Sequence, residues 1–302
     1  LRVLRAAVAW QRGGMGQAIV VGREVEVRDK LEAAGLGDAA RELTVVNASN
    51  SRHLDQYHET LYNRLQRKGY DRDDAAKLAN RDRHVFASLM LAHGHGDGLV
   101  TGATRKSAHV LAQIGRVFDV TPADGAVGIT AVLHRGRIII MGDTLVHEWP
   151  EAEDLANIAT RAAHVARGLG LDPRVAFLSF SNFGYPVCER AVKMAMATQA
   201  LDKRKVDFEY EGEMTVDVAL NPVQAAKFPF SRLTGPANVL VVPARHSASI
   251  SVKLLQEMAG ATVVGPILTG VPQPIQICST GSTVNDILNM AAISAGRLGQ
   301  VK

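Results

Sequence analysis

Short apolar runs alternate along this chain with longer segments of helical period, and that alternation restricts the fold more than any other feature of the sequence. The runs are Gln17–Gly22, Glu42–Ala48, Gly98–Gly102, Ala126–His134, Arg137–Gly142, Arg174–Phe180, Asn238–Pro243 and Ala261–Gly265. Most are continuously apolar, as in strands buried on both faces of a largely parallel sheet. Helical periodicity fills the gaps over Arg23–Ala34, Leu54–Lys68, Asp71–Asn80, Lys106–Phe118, Glu151–Leu169, Pro186–Leu201, His246–Ala259 and Thr283–Ala295. The pattern is βαβ architecture, an α/β fold. Only Arg135-Gly136 separates 126–134 from 137–142, so these two runs form an antiparallel hairpin and the sheet is mixed there.

A chain of 302 residues has room for two domains or one large one. With 47% hydrophobic and 21% charged residues and a mean hydropathy of +0.02, it has the balance of an ordinary globular protein and not of a disordered, collagenous or coiled-coil one. No apolar run is long enough to span a membrane and no signal-peptide pattern is visible. Two cysteines, Cys188 and Cys278, cannot make a disulfide framework, so a reducing cytoplasm is the expected compartment. The net charge of +4 suits small anionic ligands. It does not point to nucleic acid, because the basic residues are scattered and aromatics are only 5%. The chain opens on Leu1, already inside a helical pattern (Leu1–Arg12) with no strand before it, which predicts either a fragment of a longer polypeptide or an incompletely ordered terminus.

Three stretches bear on chemistry. His93-Gly-His95 places two imidazoles two residues apart, but no matching ligand pair lies downstream; it reads as a polar loop, and no metal is assigned. Neither a dinucleotide fingerprint nor a P-loop occurs. Ser179–Gly184 follows an apolar strand, with Pro186 opening the next helix. It is either a ligand-binding loop at a strand's carboxyl end or a capped turn. The richest stretch runs from Gly265-Pro-Ile-Leu-Thr-Gly270 to Cys278-Ser-Thr-Gly-Ser-Thr-Val-Asn-Asp286. Thr283 and Asp286 have the spacing of a capping box; Ser279, on a glycine-containing loop, is not explained by that.

Taken together, Gly265–Gly270, Pro272–Pro274, Ser279 with Gly281 and Val284-Asn-Asp-Ile287 resemble the carboxyl-terminal signature of phosphate acetyl/butyryl transferases. Gly98-Leu-Val-Thr-Gly-Ala103 resembles their mid-chain glycine strand, and Phe177-Leu-Ser-Phe-Ser181 their central strand and loop. Ser181-Asn-Phe-Gly184, Gly212-Glu-Met214 with Asp217 and Ala219, and Phe230–Asn238 are similar to the transferase-like domain fused behind bacterial NADP-dependent malic enzymes. The resemblance covers nearly the whole chain.

It implies a fold of two α/β subdomains, with mixed, largely parallel sheets and an interdomain cleft, related to the isocitrate and isopropylmalate dehydrogenases. The expected division is 1–145 with 266–302 as subdomain I and 146–265 as subdomain II, the latter dimerising. The oxidoreductase portion, with its NADP and divalent metal, is expected outside this chain; no cofactor is expected within it. The active transferases bind coenzyme A, whose thiol attacks acetyl phosphate. By carry-over, Asp286 corresponds to the general base and Ser279 to the hydroxyl that stabilises developing charge. The implied acetyl-CoA contacts are Ser279, Thr280, Asp286, Ser181, Asn182 and Gly184.

The chain departs from the family at the phosphate clamp. The arginine that follows the active-site serine is Thr280 here, and a second falls near Leu111–Ala112, with Arg105 and Arg116 out of register. A hydroxyl cannot reproduce the charged bidentate fork of a guanidinium. The expected role is therefore a regulatory acetyl-CoA-binding module of a malic enzyme, homo-oligomeric, binding neither nucleic acid nor membrane. The alternatives are an active phosphate acetyltransferase and a purely structural dimerisation module.

Overall fold

The computed structural model describes residues 1–296. Its ten strands are β1 (Ile19–Val21), β2 (Thr44–Val46), β3 (Leu99–Gly102), β4 (Val127–His134), β5 (Arg137–Gly142), β6 (Arg174–Leu178), β7 (Glu209–Met214), β8 (Val239–Val241), β9 (Thr262–Thr269) and β10 (Ile275–Cys278). Among the described residues two compact units emerge: Leu1–Val120 with 272–296, and Thr121–Val271.

In the first unit β1 pairs with β2 and β3 with β10, both in parallel. The helix Arg2–Arg12 buries Leu4 and Val8 in one apolar cluster with Val27, Leu31 and Leu43, while its Ala6 meets Cys278, Ile287 and Met290 in another. The first helix thus shares a core with the segment that carries Cys278, Ile287 and Met290. A helical layer built on Tyr57, Leu61, Leu65, Phe86 and Leu89, all essentially inaccessible to water, completes the unit.

The second unit is a six-stranded sheet of order β7-β6-β8-β5-β4-β9. Its pairs from β7 to β5 are parallel, and β4 runs antiparallel to both β5 and β9. The helix Ala152–Gly168 buries Leu155, Ala156, Ile158, Ala159, Ala162, Ala163, Val165 and Ala166, mostly small side chains that permit close approach to the sheet. The helix Arg245–Ala259 buries only Ala248 and Val252 and leaves Ile250, Leu254 and Met258 exposed at i, i+4 and i+8. Among the described residues no helix is long and apolar enough to cross a membrane.

The α/β class and the mixed sheet agree with the sequence reading; several boundaries do not. The units divide at 120/121 and 271/272, where the sequence pointed to 145/146 and 265/266. The hairpin β4–β5 belongs with the second unit because β4 is hydrogen-bonded to β9 and β5 to β8 in one sheet. Strand β9 runs on through Pro266, where the sequence ends it at Gly265. An irregularity in the β4–β9 register between Ile129 and Ala131 leaves Gly265 and Pro266 outside the ladder, so no amide hydrogen is missed. The helix expected from Pro186 starts at Glu189, with Cys188 Sγ accepting the Ala191 N–H at 3.4 Å. Strands β7 and β10 were not foreseen. The sequence of β7, Glu-Tyr-Glu-Gly-Glu-Met, carries three carboxylates, and β10 is only four residues long.

Candidate functional site

Strands β3 and β10 end side by side, with Gly102 opposite Cys278. The loop 103–106 then enters the helix Ser107–Ile114, and the loop 279–283 enters the helix Val284–Ala295. Ligands of open α/β sheets bind just beyond the carboxyl ends of strands, where helix N-termini offer unpaired N–H groups. Gly102 makes the pairing possible: its φ is +98°, and a Cβ there would lie 2.2 Å from the Cys278 carbonyl oxygen. The Ala103 N–H donates to that oxygen at 2.9 Å.

Ser279, Thr280 and Gly281 are exposed on this edge, and Ser279 Oγ is 3.2 Å from Ser282 Oγ. Asp286 sits one helical turn on. Its Oδ2 accepts the Thr283 N–H at 2.8 Å, and its own N–H donates to Thr283 Oγ1 at 3.2 Å, closing the capping box that the spacing predicted. Cys278 is buried beneath the loop; burial, and then the negative charge of Asp286, push its thiol up to about 12. It stays protonated and is no nucleophile.

Sequence reasoning missed Arg2. From the first helix its guanidinium donates to the Ser282 carbonyl at 2.7 Å and the Thr280 carbonyl at 2.8 Å, clamping the loop across nearly the whole length of the chain. Arg105 and Lys106 are exposed in the neighbouring loop. Arg116 is committed elsewhere: its guanidinium donates to the Tyr70 hydroxyl and stacks 5.2 Å from the Tyr70 ring centroid.

Ser181, Asn182 and Gly184 lie in the second unit, on a turn stitched to the end of β7. Ser181 is fully buried and donates to Glu213 Oε1 at 3.0 Å; the Gly184 N–H donates to the same oxygen at 2.7 Å. Asn182 Oδ1 accepts the Thr215 N–H at 2.8 Å and its hydroxyl at 3.1 Å. Of the two readings left open by the sequence, this geometry is that of the capped turn, because Glu213 and Thr215 already engage the polar atoms a ligand would need. Arg232 likewise serves the fold, bonding Glu211 at 3.2 Å and Asp202 at 2.7 Å. Burial pulls its charge state down, but those bonds outweigh it and raise its affinity for the proton.

A buried carboxylate that the sequence reading passed over holds the turn after β5. Asp143 accepts N–H groups from Gly128, Leu145 and His147 at 2.8–2.9 Å, and His147 Nδ1 lies 2.8 Å from its Oδ2. The residues His93 and His95 pair with Thr60 and Tyr57, and among the described residues no group of three His, Cys, Asp or Glu is arranged to hold a metal ion.

Comparison with known proteins gives this geometry a context. The sequence pattern of the phosphate acetyl/butaryl transferase family matches residues 1–295. The chain is 44% identical over 299 residues to an NADP-dependent malic enzyme of Rhizobium meliloti (strain 1021), covering 99% of this chain and 39% of that protein. It is 30% identical to a phosphate acetyltransferase of Thermoanaerobacterium thermosaccharolyticum, covering 97% of this chain and 91% of the relative. A crystal structure of a phosphotransacetylase from Streptococcus pyogenes superposes with a TM-score of 0.89 at 30% identity, covering 98% of this chain and 90% of that one. The chain therefore spans about two-fifths of the malic enzymes it matches, 91% of the Thermoanaerobacterium transferase and 42% of a phosphate acetyltransferase of Nitratidesulfovibrio vulgaris.

Proposed function

The chain belongs to the phosphate acetyl/butaryl transferase family, and from that premise we propose that it is the phosphotransacetylase-like regulatory part of an NADP-dependent malic enzyme, binding acetyl-CoA as an effector. The whole enzyme would oxidatively decarboxylate malate to pyruvate in the cytoplasm, its NADP and divalent metal held by the oxidoreductase portion. The observation that carries the reading is Thr280. It stands, exposed, where the resemblance implies an arginine, beside the Ser279 and Asp286 to which the resemblance gives the serine and aspartate roles.

Transfer of an acetyl group from acetyl phosphate to a thiol needs a base for the thiol proton and a cationic clamp for the departing phosphate. Asp286 could serve as the base. Without the guanidinium fork, the electrostatic contribution of such a clamp, typically about 10²–10³ in rate, is lost. Binding needs less: the Ser279 hydroxyl, the exposed cations Arg105 and Lys106 and two helix N-termini together suit the phosphates of a coenzyme A thioester. To regulate, acetyl-CoA must bind one arrangement of the assembly more tightly than another. The exposed apolar row Ile250, Leu254 and Met258 supports homo-oligomerisation through the second unit.

Calorimetric titration with acetyl-CoA tests the proposal: binding that weakens in Ser279→Ala and Arg105→Gln is expected, and absence of both heat and thermal shift at millimolar ligand overturns it. Formation of acetyl-CoA from acetyl phosphate and coenzyme A above about 1 s⁻¹, within the ordinary enzyme range, would instead favour an active transferase. Sedimentation of Ile250→Glu and Met258→Glu tests the oligomer, which both substitutions should dissociate.

A further inference from the structure

Strands β1 and β2 run parallel and end at Val21 and Val46, and a cavity of about 1030 Å³ opens past those ends. We propose that this cavity is a second ligand site, separate from the Ser279 loop, and that it takes a small phosphorylated metabolite. Its size matches the roughly 300–1,000 Å³ of sites that hold small organic ligands. Its position, beyond the carboxyl ends of parallel strands, is where α/β sheets bind them. None of its lining residues lies in 103–106 or 279–286.

The wall is built to donate hydrogen bonds. Arg52 has no carboxylate partner among the described residues; its Nε donates to His53 Nε2 at 3.1 Å, which puts the His53 proton on Nδ1. The buried Tyr57 hydroxyl lies 2.6 Å from His95 Nδ1, and in the tautomer in which Tyr57 donates the His95 proton sits on Nε2. Each ring thus keeps one N–H that no side chain among the described residues accepts. The two imidazoles stack with centroids 4.0 Å apart. Burial, then the charges of His95, Arg52 and His93, hold His53 below its usual value. The remaining charged groups of the wall are Arg23 and Glu26, paired with each other at 2.9 Å, and Glu24, paired with Arg28.

One free guanidinium fork would satisfy a carboxylate. The two imidazole N–H donors beside it supply further partners, as the three oxygens of a phosphate monoester require. Bound anion would reverse the electrostatic pressure on His53, so binding takes up protons and tightens as pH falls toward 6. The titratable and charged groups that oppose or share this effect are His93, His95, Arg23, Arg52, Glu24 and Glu26.

The probes are inorganic phosphate and glycerol 3-phosphate, titrated into the protein while the histidine ring resonances are followed by NMR. Saturable shifts of His53 and His95 are expected, with affinity about tenfold or more weaker in Arg52→Gln, the loss of one charge-assisted contact. His53→Gln, made as a second variant, should weaken binding as well, and Ser279→Ala should leave it unchanged. The proposal is overturned if neither probe saturates below about 10 mM, if Arg52→Gln and His53→Gln bind as the unsubstituted protein does, or if Ser279→Ala abolishes the shifts. Because acetyl-CoA binding is read separately at the Ser279 loop, failure of either site leaves the other standing.

Discussion

Arg2 and Asp286 act on the same loop by different routes, and they differ in how far the sequence exposed them. The capping box of Thr283 and Asp286 is local, four residues that the spacing alone predicts, and the structure forms it. Arg2 is invisible in sequence because its two acceptors, the carbonyls of Thr280 and Ser282, are backbone atoms at the far end of the chain. Arg2→Met should cost about 1 kcal/mol in urea-induced unfolding, the net worth of such bonds at a partly exposed site, and should speed amide exchange at Ser282 and its neighbours. Cys278 and Cys188 offer a second residue-scale check. With its thiol pushed up to about 12 by burial and by Asp286, Cys278 should resist alkylation at pH 8 in the folded protein, whereas the half-buried Cys188 reacts. Equal labelling of both would contradict the buried environment described for Cys278.

At the scale of elements, the Ser279 loop exists because β10 pairs with β3. That pairing depends on Gly102, which takes a left-handed φ of +98° beneath the Cys278 carbonyl. Gly102→Ala is expected to destabilise the protein by about 1–3 kcal/mol or more through backbone strain and steric conflict, and a lowered denaturant midpoint would register it. The glycine run 98–102 was legible as a strand. Its partner was not, since four residues reading Ile-Gln-Ile-Cys carry too little periodicity to separate strand from loop. The same limit hid β7, whose Glu211 and Glu213 look like surface residues until Arg232, Ser181 and Gly184 supply their partners. Ser181, Asn182 and Gly184 suffered the reverse: a strand-end location suggested a ligand, and only the position of Glu213 revealed a self-contained turn.

For the whole molecule, stability should follow the histidines. Burial is the first cause that lowers His84, His53 and His93 below the usual 6.5, with nearby His95 lowering both His53 and His93, and with Asp82 partly opposing the shift at His84. The unfolded chain then binds more protons than the folded one below about 6.5, so stability is full above that pH and is lost as pH falls through the depressed folded values. Thermal melting between pH 7.5 and 5 should show a falling Tm, less steeply in His84→Gln; a Tm that is flat or rises on acidification would refute this assignment. The sequence by itself determined the α/β class, the hairpin, the capping box and the family, because each is written in local period, short spacing or motif order. Tertiary structure decided the unit boundaries, the partners of β7 and β10, the Arg2 clamp and the cavity beyond β1 and β2. Each of these joins groups distant in the chain, and the hydrogen bonds and burial that fix them come into being only when the chain has closed on itself.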